Sequence, residues 1–322
     1  MSRSILALDF GGTKLAAAVV TLGERQMRSQ AKVFSPPNAN ATTDLEMVQN
    51  LACKLLPTEQ IAAIGVSFGG PVDATTGTVR LSHHVPGWEN VPLAAILAEE
   101  FNVPVSVDND ANVAAIGEHR FGAGVGFSDL LYITVSTGVG GGWILGDRPW
   151  RGAEGMAGEI GHAVVDPTGP LCLCGKQGCL ERLASGRYIA QQVQEQLHHQ
   201  PERGEILRTL VAGKIESITA ALVSQAAAQG DDLAWEALQK AAWALGVAIG
   251  NAANLINPQR FILGGGVTKA GELFWAEIRR VARLTALPEV HFDIVPAMLG
   301  DEAPLWGAVA LAEDAIAQTI AN

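Results

Sequence analysis

Ile5-Leu-Ala-Leu-Asp-Phe-Gly-Gly-Thr-Lys-Leu-Ala-Ala-Ala-Val-Val20 is one apolar run, a turn containing Gly11 and Gly12, and a second apolar run. The pattern reads as a β-hairpin with an open, glycine-lined turn. Backbone N–H groups on such a turn cradle an anion, and Thr13 and Lys14 add a hydroxyl and a cation. An ordinary hairpin turn is the plainer alternative. The spacing differs from the Walker pattern Gly-x4-Gly-Lys-Ser/Thr, and no His-Arg-Asp loop follows Asp9-Phe10-Gly11, so neither a P-loop nor a protein-kinase signature is present.

The same arrangement returns at Leu130-Leu-Tyr-Ile-Thr-Val135, Ser136-Thr-Gly-Val-Gly-Gly-Gly142 and Trp143-Ile-Leu145. Strand, glycine turn and strand at two distant points predict two related halves. A third glycine turn, Leu263-Gly-Gly-Gly266, closes a strand-like run that starts at Arg260. None of the three matches the dinucleotide fingerprint Gly-x-Gly-x-x-Gly. Together they predict backbone loops that converge on one polyanionic ligand.

The 322 residues, 48% of them hydrophobic, are enough for a large core and two domains. With 22 Lys and Arg against 33 Asp and Glu, the net charge of −11 carries no footprint for nucleic acid or an anionic membrane surface. Asp9 interrupts the first apolar run, which reads as a strand and not as a signal peptide. The longest apolar segment, 241–256, contains Asn251 and Asn254 and falls short of a membrane span. The expected location is the cytoplasm.

Residues 103–107 read as a short buried strand, followed by Asp108-Asn109-Asp110 and a helix-like run over 111–119. Asn109 or Asp110 suits a helix N-cap. Strand ends that open into helices are also where open α/β sheets bind ligands, and a carboxylate there can accept a proton from a substrate hydroxyl. Ser67-Phe-Gly-Gly-Pro71 after another strand gives either a backbone open to close approach or a plain turn.

Three of the four cysteines, Cys172, Cys174 and Cys179, stand just after His162. One imidazole and three thiols are the ligand set of a closed tetrahedral zinc site, and four protein ligands make the metal structural. Gly175 and Gly178 suit a turn that needs positive φ. Glu159 and Glu181 flank the ligands and would be held by the same loop as hydroxyl acceptors, unless they are solvated surface acids. Cys53, alone in a helical stretch, reads as a small core residue. Periodicity predicts helices over 43–55, 187–198, 218–229, 232–256, 271–284 and 303–320. No linker divides the chain. The expected division is 1–117 plus 303–322 against 118–302, with a hinge near 117–127 where Gly122, Gly124 and Gly126 allow bending.

Asp9-Phe-Gly-Gly-Thr-Lys14, Asn109-Asp110-Ala-Asn112, Thr137-Gly-Val-Gly-Gly-Gly142, Gly158-Glu-Ile-Gly-His162 through Cys179-Leu-Glu181, and Leu263-Gly-Gly-Gly266 resemble, in order, the motifs of the ROK family of sugar kinases and related repressors. The resemblance implies an α/β, actin-like and ribonuclease-H-like duplicated fold, two domains around a cleft, with the last helix returning to the N-terminal domain. It implies ATP, Mg2+ and structural Zn2+ as cofactors and a hexose or N-acetylhexosamine as substrate. Asp110 is then the general base, and Gly70, Asn109, Glu159, His162 and Glu181 contact the sugar. Asp9, Gly11, Gly12, Thr13, Lys14, Thr137, Gly138, Gly265 and Gly266 face the nucleotide and its magnesium. His162 serves both zinc and sugar.

Ser136 stands where many members have glycine, and Ser67-Phe-Gly-Gly-Pro71 replaces a Pro-Gly form. The stretch His83-His-Val-Pro-Gly-Trp88 resembles a loop of the glucokinase-type members, and that resemblance implies phosphorylation of the 6-hydroxyl of glucose, with N-acetylmannosamine, fructose or allose as the alternative substrate. A sugar-sensing repressor needs an N-terminal helix-turn-helix, whereas the first phosphate motif here begins at Asp9. A homodimer or homotetramer is a further implication of the resemblance.

Overall fold

The structure, a computed structural model, describes residues 3–56, 60–82 and 84–321. His83 of the expected sugar loop lies outside the described residues. The chain divides into two compact units, Met1–Ser128 with Gly142–Ala157 and Met298–Asn322, and Asp129–Gly141 with Gly158–Ala297.

The first unit opens with β1 (Ser4–Phe10), β2 (Lys14–Thr21), β3 (Met27–Phe34), α1 (Ala41–Leu55) and β4 (Ile61–Phe68). The short β5 (Val72–Asp73) and β6 (Thr78–Val79), α2 (Leu93–Phe101), β7 (Val105–Asn109) and α3 (Asp110–Phe121) follow. The sheet order is β3-β2-β1-β4-β7. The pairs β1–β2 and β2–β3 are antiparallel, and β1–β4 and β4–β7 are parallel. Central β1 is buried along almost its whole length, as a strand covered on both faces must be. Leu6, Leu8 and Phe10 alternate onto one face, with Ile64, Val66 and Phe68 of β4 and with Val48, Leu51 and Leu97 of α1 and α2. Asn40 caps α1, its Oδ1 accepting Thr43 N–H at 2.9 Å.

The last helix, α10 (Ala303–Ala321), covers the opposite face, against β1, β4 and α3. Glycine makes this approach possible at two positions. A Cβ on Gly65 would lie 1.7 Å from Ala308 O, and one on Gly307 would lie 1.8 Å from Val113 O. Gly117 belongs to the same contact, where a Cβ would lie 2.5 Å from Ala303 O. It is a packing residue inside α3. Fully buried Glu118 ties the end of α3 to the segment leading into α10: Oε2 accepts Ala123 N–H at 2.8 Å and Met298 N–H at 3.1 Å, and Oε1 accepts Leu299 N–H at 2.8 Å.

The second sheet comprises β8 (Leu130–Val135), β9 (Val139–Leu145), β10 (Arg148–Trp150), β11 (Arg260–Gly264) and β12 (Asp293–Pro296), in the order β10-β9-β8-β11-β12. Counted within its own half, this is the order of the first sheet, with parallel pairing of β8–β11 and β11–β12. The repeated glycine hairpins are therefore the first two strands of each half. Between β10 and β11 come a helical turn at Ile160–His162, α4 (Leu180–Ala184), α5 (Gly186–His199), α6 (Glu205–Leu210), α7 (Ala220–Ala228) and α8 (Asp232–Ile256). A turn at Gly266–Lys269 and α9 (Glu272–Thr285) follow β11. α8 and α9 pack at close range, since a Cβ on Gly246 would meet Ile278 O at 2.9 Å and one on Gly250 would meet Ala282 O at 2.9 Å.

The unit boundary differs from the expected division in residues 118–128, 142–157 and 298–302, all of which group with the N-terminal unit. α3 continues to Phe121, Glu118 binds the 298–299 backbone, and Gly142 lies where a Cβ would meet Ala111 O at 2.6 Å. Cys53 is exposed, which corrects the core reading, because it lies off the apolar stripe of Val48, Leu51 and Ala52 on α1. No helix among the described residues is long and apolar enough to cross a membrane.

Candidate functional site

In the first unit, the turn between β1 and β2 is closed by Gly11 N–H donating to Lys14 O at 3.0 Å. A Cβ on Gly12 would lie 2.8 Å from the His84 ring, so that imidazole rests on the loop. Asp9 is the penultimate residue of β1 and accepts the Ser67 hydroxyl at 2.8 Å. Burial holds the Asp9 carboxyl above its ordinary value, against the Ser67 hydrogen bond and the charge of Lys14. Asp9 and Lys14 line a cavity of about 380 Å3 together with Lys32, Asp301 and Glu302.

Asn109 caps α3, as one reading of the sequence held: its Oδ1 accepts Ala111 N–H at 3.0 Å. Its Nδ2 donates to Gly70 O at 3.1 Å and to Asp110 Oδ1 at 3.0 Å, so the structure brings Gly70, Asn109 and Asp110 together. Asp110 begins the helix, where Oδ1 also accepts Ala111 N–H at 2.8 Å. Asp108, 1% exposed, ion-pairs with Arg151 at 2.7 Å.

In the second unit, His162, Cys172, Cys174 and Cys179 present ligand atoms that all lie within 4.8 Å of one another. Zn–S bonds of about 2.3 Å in a tetrahedron separate sulfurs by about 3.8 Å, and Cys174 Sγ lies 3.5 Å from Cys179 Sγ. His162 Nδ1 is buried and has no hydrogen-bond partner. Gly175 and Gly178 have φ of 86° and 69°, as the tight turn requires, and a Cβ on Gly178 would lie 1.5 Å from Asp166 O. Burial, with Cys174 and Cys172 alongside, pushes the Cys179 thiol up to about 12, while hydrogen bonding to the Lys176 backbone lowers Cys174 to about 7. Several thiolates this close repel one another, and a divalent cation relieves that repulsion. The donor set fits zinc.

Glu159 is exposed immediately before the turn that carries His162, and its carbonyl accepts His162 N–H at 3.0 Å. Glu181 accepts Val139 N–H at 3.0 Å, and a Cβ on Gly138 would lie 2.8 Å from Glu181 Oε2. The second glycine loop is therefore tied to the carboxylate of Glu181, two residues after Cys179. Thr137 and Gly266 line a cavity of about 630 Å3 with Arg187, Gln191, Thr219 and Val267. Gly265 shapes the loop behind it, with φ 90° and a Cβ position 2.3 Å from Val135 O.

Asp9, Gly11, Gly12, Thr13, Lys14, Gly70, Asn109 and Asp110 thus belong to the first unit, and Thr137, Gly138, Glu159, His162, the three cysteines, Glu181, Gly265 and Gly266 to the second. Sequence reasoning missed Arg187 and Gln191, which lie on α5, and Thr219, which caps α7, because helical periodicity marks only core positions. It also missed Arg151 and His84 as partners of Asp108 and Gly12, because no spacing rule links residues so far apart.

Two sheets of one strand order, each opening with a glycine hairpin, define a protein of the actin-like, ribonuclease-H-like duplicated α/β class. A model of the ROK family matches residues 5–315, and the chain belongs to that family. It is 41% identical over 314 residues to a glucokinase of Halalkalibacterium halodurans, covering 95% of this chain and 93% of that one. It is 35% identical over 312 residues to a glucokinase of Streptomyces coelicolor, covering 96% and 97%. The crystal structure of a ROK family glucokinase from Streptomyces griseus in complex with glucose and AMPPNP superposes with a TM-score of 0.83. It is 37% identical in sequence and covers 97% of this chain and 99% of that one.

Proposed function

We propose that the protein is an ATP-dependent hexose kinase that transfers the γ-phosphoryl group of magnesium ATP to the 6-hydroxyl of glucose. The observation that carries this reading is the carboxylate of Asp110, held at the N-terminus of α3 by the Asn109 amide and the Ala111 backbone. There it takes the proton of the attacking hydroxyl. The glucokinases to which the chain is similar support glucose as the acceptor.

Gly70, Asn109, Glu159, His162 and Glu181 bind the remaining sugar hydroxyls. Gly11, Gly12, Thr13 and Lys14 and the loop of Thr137 and Gly138 bind the donor phosphates, and the cavity at Gly266 takes the nucleoside. Gly265 lets the backbone pass behind that cavity. Asp9 would hold the magnesium of the nucleotide, whose chemistry when bound is to neutralise charge on the transferring group. Cys172, Cys174, Cys179 and His162 Nδ1 hold a structural zinc. With Nδ1 given to zinc, His162 would keep its other ring nitrogen for a sugar hydroxyl. The enzyme works in the cytoplasm as a homodimer or homotetramer and uses neither nucleic acid nor a membrane.

The test is ATP-dependent phosphorylation of glucose, mannose, fructose, allose, N-acetylglucosamine and N-acetylmannosamine compared by kcat/KM, with Asp110→Asn alongside. Glucose is expected to lead, and Asp110→Asn to bind glucose while losing at least about a hundredfold in kcat. An N-acetylhexosamine in the lead refutes the acceptor, and near-normal turnover by the variant refutes the base.

A further inference from the structure

We propose that Arg151 and Asp108 form a positioning pair for Asp110, an inference that rests on the assignment of Asp110 as the base. Asp108 is 1% exposed at the penultimate position of strand β7, and a carboxylate so buried persists only when it is paired and hydrogen-bonded. Arg151 supplies the pair from 43 residues away, with Nε and one terminal nitrogen each 2.7 Å from Asp108 Oδ2. The other carboxylate oxygen accepts Asn109 N–H at 2.8 Å and the Asn112 amide at 3.2 Å. Asn109 in turn donates its side-chain amide to Asp110 Oδ1 at 3.0 Å. One guanidinium therefore fixes, through two links, the amide that holds the base.

Arg151 is itself fixed from outside this chain of contacts. It starts a turn that its carbonyl closes by accepting Ala157 N–H at 2.9 Å, with positive φ at Gly152 and Gly155. The side chain remains 31% exposed, against 2% for Asp108. Arg151 touches none of the groups assigned to substrate. Its effect is on where Asp110 stands, and a displacement of about 1 Å at such a group costs on the order of a hundredfold in rate.

The experiment is steady-state kinetics and melting of Arg151→Gln, Arg151→Lys, Asp108→Asn and the Asp108→Asn/Arg151→Gln double variant, with Asp110→Asn as reference. Arg151→Gln is expected to lower kcat by about 10- to 100-fold while the KM values for glucose and ATP move by less than about threefold. Arg151→Lys, which keeps the cation, is expected to recover most of that loss. The double variant is expected to be no slower than either single one, because both act through one contact. If Arg151→Gln does not fold, Arg151→Lys and the double variant, which leaves no buried charge unpaired, carry the comparison.

A kcat within about threefold of wild type, or additive losses in the double variant, overturns the proposal, as does a rise of both KM values in step with a lowered melting temperature. An inactive Asp110→Asn beside a near-normal Arg151→Gln removes the positioning pair alone. Turnover by Asp110→Asn removes the base assignment and the pair with it.

Discussion

Replacing Glu118 by glutamine changes one atom type in a site with no room to adapt, and the structure says which way the balance moves. The side chain is fully buried, and its three partners are backbone donors: Ala123 N–H and Met298 N–H on Oε2, Leu299 N–H on Oε1. A carboxylate accepts at both oxygens, whereas an amide must turn an NH2 group toward one of them. The better orientation keeps the amide oxygen where two donors converge and leaves the NH2 facing Leu299 N, a donor against a donor at 2.8 Å. Hydrogen bonds to a charged acceptor contribute about 1.5–3 kcal/mol and neutral ones about half that, so the two retained bonds lose about 1 kcal/mol each. The stranded Leu299 donor costs a further 1–3 kcal/mol or so. The sum is about 3–5 kcal/mol despite unchanged volume.

Thermal melting and native-state hydrogen exchange measure it. Glu118→Gln is expected to lower the transition of the first unit by on the order of 10 °C and to accelerate exchange at Met298 and Leu299. The exposed Glu154→Gln should change neither. A Glu118→Gln protein within about 0.5 kcal/mol of wild type, with unaltered exchange at those amides, would refute the account of the carboxylate as the clamp between α3 and the approach to α10.

Two further outcomes concern the proposed chemistry. Chelation is expected to release about one zinc per chain and to weaken glucose binding before nucleotide binding. Full glucose affinity in a verified metal-free sample contradicts the bracing role. Burial raises the Asp9 carboxyl above its ordinary value of 3.8. The native state then holds the proton more tightly than the unfolded chain, so the contribution of Asp9 to stability is fully present below that pH and is lost as pH rises through the folded value. Asp9→Asn, which does not titrate, is accordingly expected to gain on wild type in melting temperature from pH 4 to pH 7 while losing kinase turnover. A gain that shrinks toward pH 7 refutes the sign.

The duplicated architecture was legible because each half announces itself with the same local grammar: an apolar run, a glycine turn and a second apolar run, at Ile5 and again at Leu130. The clustering of His162 with Cys172, Cys174 and Cys179 was legible for a similar reason, since three thiols and an imidazole in one short stretch leave few alternative chemistries. Asn109 offered two roles, cap and ligand, and the structure shows the cap directly. Arg151 and Glu118 were not readable. Each acts on backbone or side chains between 43 and 181 residues away, and a charge inside a helix or beside a turn is, on sequence alone, a solvated charge. Cys53 misled because helical periodicity places a residue on a face only once the neighbouring stripe has been fixed, and Val48 and Ala52 define a stripe that leaves Cys53 outside. The unit boundary escaped for the same reason as Arg151: no composition change marks where a continuous strand passes from one unit to the other.

The placement of α10 has a consequence for biosynthesis. The helix that covers β1 and β4 follows every other described element in the chain, and at Gly65 and Gly307 it packs so closely that a Cβ would collide with backbone. The half of the protein that is translated first is therefore the half that cannot finish folding until residues 303–321 have been made. Until then it presents one apolar face of its central strands to the cell, a surface that chaperones recognise and that aggregates when left alone. A premature stop anywhere before residue 303, even one that spares every residue assigned to catalysis, yields a nascent chain fit for degradation and not a shortened enzyme.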